Sequence, residues 1–511
     1  MNNIWRNQQK QWTALSLCSV AFFSSCGQPE QNKPNIIFIL ADDMGYADAS
    51  CYGQSLIETP NIDKLASQGK LFTNAYSASP VSASSRCGLL TGLHMGHAYI
   101  RGNDPWTERG DVWDYNKTSN DPSLEGQRPI PAHSVTIPKL LKAQGYATGC
   151  FGKWGLGAPF TEGVPEKQGF DLFYGYNCQR QAHTYFPNHL WRNGERVNLR
   201  NEPIPPTTKL PKDADKYDEK SYEFFWQNDY SAELIHNESL RFIENNATTP
   251  FFMFYATTLP HTSLQAPKRL VDKYVEKLGD EEPSLGGSGY PCRYPKATYA
   301  AMVTYLDEQI GEIIDKLKEL GIYENTLILF SSDNGPSGNS TYYQSAKPFQ
   351  SVANRVKGSL YEGGIRSPFI AVWENRIKAG MISDLPIVLY DLLPTFCEIG
   401  GVEIPSHTDG ISFLPELLGK KNQERHEYLY WEHAQGGGQQ AVRFGHWKGL
   451  RVDINSKGNT KIKLFNLLDD AEEINDLSSQ YPEIVDKMEQ YMSNARSKPE
   501  VDYFYLKPFD N

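Results

Sequence analysis

Residues 35–40 form an unbroken apolar run, Asn35-Ile36-Ile37-Phe38-Ile39-Leu40, that stops abruptly at Ala41-Asp42-Asp43-Met44-Gly45. A run with no polar alternation is what a strand buried on both faces of a parallel sheet needs. Two adjacent carboxylates at the end of such a strand are costly unless a cation neutralises them. Hard oxygen donors of this kind suit calcium or magnesium. The design recurs at Thr326–Phe330, which ends in Ser331-Ser332-Asp333-Asn334-Gly335. Two further strand-like runs, Tyr146–Phe151 and Phe251–Tyr255, end near Lys153 and His261.

Helical segments separate these runs. Thr59-Pro60 opens one and Gly69 closes it; Ser134–Gln144 and Ala232–Glu244 are others. Ala297–Leu320 is the plainest, with Met302, Val303, Leu306, Ile310, Ile313, Ile314 and Leu317 on one stripe. Strands alternating with helices predict an α/β fold: a large, mostly parallel sheet flanked by helices. Such sheets bind ligands beyond the carboxyl ends of their strands. Asp42, Asp43, Lys153, His261, Asp333 and Asn334 should therefore converge. Residues 104–131 and 195–223 read as polar excursions. After Thr395 the pattern changes to alternating runs, which predict a smaller C-terminal antiparallel sheet with a terminal helix at Ile484–Ala495.

The start of the chain reads as a processing segment. Arg6 and Lys10 precede an apolar stretch, Trp12–Phe23, too short to span a membrane. It ends Phe23-Ser24-Ser25-Cys26-Gly27, which resembles a bacterial lipobox with Cys26 lipidated; a plain secretory peptide is the alternative. The expected division is 1–33 signal and tether, 34–420 catalytic α/β domain, and 421–511 C-terminal subdomain. The expected location is the periplasm or cell surface, on a lipid anchor. The net charge of −11 argues against a nucleic-acid partner, and an anionic substrate would need local cations. The six cysteines beyond Cys26 show no CxxC spacing, so a zinc knuckle is not expected.

Pro80–Gly92 carries the sharpest motif, Ser82-Ala83-Ser84-Ser85-Arg86 running into Leu89-Leu90-Thr91-Gly92. It reads as a loop feeding a helix N-terminus, where free N–H groups attract anions. Ser82 and Arg86 then share a face. An ordinary serine-rich cap beside a solvated arginine would look the same.

The stretch resembles the maturation motif of type I sulfatases, the formylglycine-dependent branch of the alkaline-phosphatase-like superfamily. Ser82 falls on the modified position, Arg86 on the arginine, and Ser84 where the family usually has Pro or Ala. The resemblance implies that Ser82 becomes formylglycine (3-oxoalanine) through an anaerobic-type sulfatase-maturing enzyme. Gly152-Lys153-Trp154-Gly155 resembles the family's Gly-Lys-Trp-His, with Gly155 replacing the histidine and His183 as the candidate substitute. Lys357 and the Tyr361-Glu362-Gly363-Gly364-Ile365-Arg366 run match another motif, with Arg366 structural.

The resemblance further implies a calcium ion on Asp42, Asp43, Asp333, Asn334 and residue 82. Arg86, Lys153 and Lys357 would stabilise sulfuryl charge, and His261 would be the acid for the leaving oxygen. The expected activity is exo-acting hydrolysis of glycan sulfate esters, leaning to 6-O-sulfated galactose or N-acetylgalactosamine. Arg101, Asn103, His183 and His433 are the candidate substrate contacts. Two alternatives stand beside it: a two-zinc phosphoesterase of the same superfamily, and a catalytically silent glycan-binding lipoprotein.

Overall fold

The computed structural model describes residues 33–510. Cys26 and the expected signal segment lie outside the described residues. The strand Asn35–Ala41 sits at the centre of a ten-stranded sheet and is buried at every position. Its continuous apolar character has a simple cause. Ile36, Phe38 and Leu40 enter the core on one face, while Ile37, Ile39 and Ala41 enter the core on the other. A polar residue at any of these positions would face hydrocarbon.

Across the sheet the strands run Met381–Ser383, Lys70–Phe72, Phe369–Val372, Thr326–Ser332, Asn35–Ala41, Phe251–Ala256, Ala147–Lys153, Leu172–Tyr176, His189–Arg192 and Glu195–Asn198. The central five, from Thr326–Ser332 to Leu172–Tyr176, are parallel neighbours. Phe369–Val372 and His189–Arg192 run against their neighbours, so the sheet is mixed but mostly parallel. One face is covered by helices Pro60–Gln68, Ser231–Asn245, Lys268–Leu278 and Pro295–Glu319, the other by Ser82–Thr91, Ile137–Ala143 and Leu392–Gly400.

Register decides what meets at the strand ends. Ala41 pairs with Ser332, and Asp333 N–H donates to Ala41 O at 3.0 Å. Asp42 and Asp333 are therefore brought together by backbone pairing alone. Gly152 pairs with Ala256, which sends Lys153 and the His261 loop out from the same edge.

Arg366 anchors the Thr73-Asn74 bend between two short strands, Lys70–Phe72 and Ala75–Tyr76, donating to Thr73 O and Asn74 Oδ1. One local expectation needs correction. Glu195–Asn198, expected in a polar excursion, is the sheet's edge strand. Asn193-Gly194 turns it back on His189–Arg192, with Asn193 in the left-handed region at φ 50°.

The C-terminal sheet is a four-stranded antiparallel meander of Leu429–His433, Gln439–Phe444, Trp447–Arg451 and Lys463–Asn466. Helix Pro482–Asn494 covers one face, setting Met488 and Met492 against Tyr430, Val442 and Leu464. The other face adds Trp431, Ala441, Leu450 and Phe465 to the main core. A buried ion cluster joins the two parts. Fully buried Lys448 lies 2.8 Å from Glu362 and 2.9 Å from Glu473. Removing one member of such a cluster leaves unpaired buried charge, at a cost of about 3–5 kcal/mol. Lys448→Met is expected to lower the urea-unfolding free energy by about that amount. A change below about 1 kcal/mol would show that the cluster does not hold the two sheets together.

Candidate active site

The site is built where the strand ends meet the Ser82–Thr91 helix. Ser82 occupies the first helical position, after extended Val81, and Gly92 closes the helix in the left-handed region at φ 70°. Ala83 N–H, one of the free donors of the first turn, is taken by Asn103 Oδ1 at 2.9 Å. The Ser82 hydroxyl is buried, 3.1 Å from Asp42 Oδ1, 3.3 Å from Lys153 Nζ and 3.4 Å from Asn334 Oδ1.

Three carboxylates and three cationic side chains interlock around it. Lys153 Nζ is 2.7 Å from Asp42. Arg86 forks onto Asp333 at 3.0 and 3.2 Å, approaches Asp42 at 3.8 Å, and donates to Lys153 O at 2.7 Å. Lys357 Nζ is 2.6 Å from Asp43. Asp43 sits in the left-handed region at φ 65°, a conformation more accessible to aspartate than to most residues. Its N–H donates to Asp333 Oδ1 at 3.2 Å, and Asn334 Nδ2 donates to its carboxylate at 2.8 Å. His261 Nε2 lies 3.6 Å from Asp43, while its Nδ1 is 2.7 Å from Thr262 O. A cavity of about 350 Å³ opens over these groups, lined by Ser82, Asp43, Lys153, His261, Lys357 and His183 among others.

Burial sets the protonation pattern. It opposes ionisation of Asp42, yet the charges of Lys153, Arg86 and Lys357 together hold that carboxyl well below its usual range. Asp333 goes the other way, pushed up to about 6 by burial and by the Asp42 charge. His261 is pushed down to about 4 by burial, against the pull of Asp43. His183 falls to about 3 through burial and the neighbouring His261, whose ring centroid is 4.8 Å away.

The donor set fits one hard divalent cation. Asp42, Asp43, Asp333 and Asn334 bring only oxygens to the cluster, and these groups are crowded in a buried place. His261 is the one imidazole within ligand distance of Asp42 and Asp43 among the described residues, which is short of a two-zinc set. Without an ion, three carboxylates offset three cations. A divalent ion would leave the pocket net positive and attractive to an anionic ester.

The C-terminal sheet positions two walls of this pocket. Gln439 accepts from Leu360 N–H at 2.9 Å and donates to Gly358 O at 2.8 Å, gripping the chain just after Lys357. Gln435 does the same for both backbone groups of Asn103, at 2.9 and 2.8 Å.

Two of the four candidate substrate contacts are corrected. Arg101 is buried, 2.7 Å from Glu432, and donates to Ala98 O and Ser497 O, so it ties the loop to the C-terminal sheet. His433 is also buried, on the strand beside it, its ring pushed down to about 4 by burial. Asn103 and His183 do line the cavity. His94 and His97, which could have lined it, instead engage Asp409.

His183 does not fill the space beside Gly155. A Cβ on residue 155 would lie 2.4 Å from Gln179 Nε2, so Gln179 occupies that place. Gln179, Thr262, Ser288 and Ser337 also line the cavity and were not among the sequence candidates. The only signal for Gln179 was the glycine itself.

Residues 34–402 match the family model described as Sulfatase, and residues 356–498 match N-sulphoglucosamine sulphohydrolase, C-terminal. The chain is 31% identical to the N-acetylgalactosamine-6-sulfatase of Canis lupus familiaris, covering 86% of this chain and 75% of that one. It is 28% identical to the N-acetylgalactosamine-6-O-sulfatase of Bacteroides thetaiotaomicron, covering 94% and 98%. Among solved structures, Ps i-CgsB in complex with k-i-k-neocarrahexaose is similar with a TM-score of 0.72 at 28% identity, covering 92% and 94%.

The donor chemistry carries a prediction. A divalent cation that binds only the folded site stabilises it by about 2.7 kcal/mol at a hundredfold excess over its Kd. Calcium should raise the thermal midpoint and a chelator should reverse the rise. Asp43→Asn should remove most of the effect. Equal cation stabilisation in wild type and Asp43→Asn would place the ion elsewhere.

Proposed function

Because this chain belongs to the sulfatase family, and is therefore a sulfuric ester hydrolase, we propose that it cleaves sulfate esters of glycans, using a formylglycine made from Ser82 and a calcium ion. The observation that carries the reading is the geometry around residue 82. A small side chain at a helix N-terminus meets Asp42, Lys153 and Asn334, with Asp333 paired to Arg86 and Asp43 paired to Lys357 around them. An oxyanion ester needs such a mixture of ion-binding oxygens and fixed cations.

Formylglycine at position 82 would supply, as its hydrate, a nucleophilic hydroxyl in place of the serine hydroxyl. Asp42, Asp43, Asp333 and Asn334 would hold a calcium ion, which would supply Lewis-acid chemistry there. The remaining work belongs to side chains already in place. Lys153, 3.3 Å from the residue 82 oxygen, stabilises charge on the attacking group and the sulfuryl oxygens. Lys357 lines the same cavity and adds a second positive contact. Arg86 holds Asp333 and the Lys153 backbone, fixing both relative to the nucleophile.

His261 presents Nε2 toward the pocket because Nδ1 is engaged by Thr262 O. Burial keeps the ring neutral in the free site, and the negative charge of a bound ester favours the imidazolium that protonates a sugar leaving oxygen.

The substrate lean follows from relatives named as N-acetylgalactosamine 6-sulfatases in both an animal and a bacterium. We take 6-O-sulfated N-acetylgalactosamine or galactose as the first choice. The N-terminal reading adds a lipid anchor at Cys26, a periplasmic or cell-surface location, and maturation of Ser82 by an anaerobic-type enzyme before export. The oxygen-rich donor set disfavours a two-zinc phosphoesterase, and the complete set of charged groups disfavours a silent binder.

In protein co-produced with an anaerobic-type maturing enzyme, mass spectrometry of the Ser82 peptide should show the loss of two hydrogens. Ser82→Ala should abolish sulfate release; retained turnover would end the nucleophile assignment. His261→Ala should slow sugar sulfates by about 10²–10⁴-fold but spare aryl sulfates with good leaving groups. Equal losses on both would contradict the acid role. A panel of galactose and N-acetylgalactosamine carrying single sulfates at O3, O4 or O6 should show the fastest release from O6.

A further inference from the structure

Trp113 is 70% exposed and has no part in the mechanism above. It lines a cavity of about 380 Å³, with Pro105, Val112, Tyr115, Pro205 and Pro206 on the same walls. A single exposed apolar side chain needs no explanation. An exposed indole set into a concave, largely apolar wall has the make-up of a ligand site. The walls come from segments far apart in the chain, among them residues 103–118, 179–183, 205–207 and Ser288.

The position of this cavity indicates its occupant. Asn103, Gln179, His183 and Ser288 line both it and the cavity over Ser82, so the two adjoin. Asp43, Ser82, Lys153, His261 and Lys357 line only the cavity over Ser82. The groups suited to a sulfate are thus confined to one cavity, and the exposed indole to its neighbour. A second sugar, covalently tied to a sulfated sugar held over Ser82, is the ligand that this continuity brings to Trp113. Its chemistry fits the wall. A sugar ring offers an apolar C–H face, whose hydrogens meet the electron-rich surface of an indole. The turn carrying Trp113 is closed by Asp114 N–H donating to Asp111 O at 3.0 Å. The Arg180 guanidinium stands 5.5 Å from the indole centre and is itself fixed, donating to Leu124 O at 3.3 Å and Gly126 O at 3.1 Å. A ring held in this way loses little freedom on binding.

We propose that the second cavity is a glycan subsite: with the sulfated sugar over Ser82, the neighbouring sugar of the same chain packs its C–H face on Trp113. The proposal rests on the glycan-sulfatase reading and adds the size of the substrate, which is a sulfated di- or oligosaccharide in preference to a monosaccharide. The contact is remote from the reacting bond and is made equally before and during the reaction. It therefore lowers KM and leaves kcat alone.

The test compares matured wild type, Trp113→Ala and Trp113→Phe on the sulfated monosaccharide of the panel above that wild type releases fastest, and on two disaccharides. One disaccharide carries that sugar at its non-reducing end, the other at its reducing end, and the faster of the two for wild type is the one compared. Wild type should show a kcat/KM roughly tenfold higher on the disaccharide than on the monosaccharide, through KM. Trp113→Ala should lose roughly tenfold on the disaccharide and less than about twofold on the monosaccharide, and Trp113→Phe should recover most of the loss. Thermal midpoints check folding. Equal wild-type kcat/KM on monosaccharide and disaccharide would overturn the proposal, as would Trp113→Ala with wild-type kcat/KM on the disaccharide. An equal loss on both sugars would also overturn it, marking Trp113 as a support of the first cavity. Wild type that cleaves 4-nitrophenyl sulfate but no sulfated sugar would overturn the glycan reading itself, together with this proposal.

Discussion

Everything in the site follows from crowding carboxylates where water cannot reach them. Asp42, Asp43 and Asp333 are all essentially buried. Taken alone, their mutual repulsion and desolvation would force protons onto them. The fold answers with Arg86, Lys153 and Lys357, each from a different segment, and with room for a divalent ion. In the proposed reading the same arrangement that neutralises the carboxylates receives a small anion, so structural necessity and catalytic capacity are one set of contacts.

Holding that set in register falls to the architecture around it. Parallel pairing of Asn35–Ala41 with Thr326–Ser332 fixes Asp42 against Asp333 to within the play of a backbone hydrogen bond. The C-terminal meander performs a comparable task from outside the sheet. Gln439 grips the backbone after Lys357, Gln435 grips Asn103, and Asn103 in turn holds the first turn of the Ser82 helix. The second sheet is therefore part of the site's support, and Arg101, through Glu432, braces the same junction.

The central strands and their polar ends were legible because burial on both faces forces a continuous apolar run, and because acid at the end of such a run is too costly to be casual. Helix Pro295–Glu319 announced itself through its stripe. What stayed hidden depended on tertiary context. The edge strand Glu195–Asn198 is half exposed and charged, so it lacks an apolar pattern, and only Asn193-Gly194 marked its turn. Arg101 and His433 looked like free polar groups because a sequence does not show that Glu432 and Ser497 lie against one of them and that the other is buried. Gln179 could not be read at all without knowing which side chain fills the space that Gly155 leaves.

The most direct measurement is a crystal structure of the Ser82→Ala protein grown with calcium and a 6-O-sulfated N-acetylgalactosamine. The account predicts one ion ringed by Asp42, Asp43, Asp333 and Asn334, with the sulfuryl group between that ion, Lys153 and Lys357, and the bridging oxygen facing His261. An ion bound away from these carboxylates, or a sulfate group seated outside the cavity over residue 82, would contradict it.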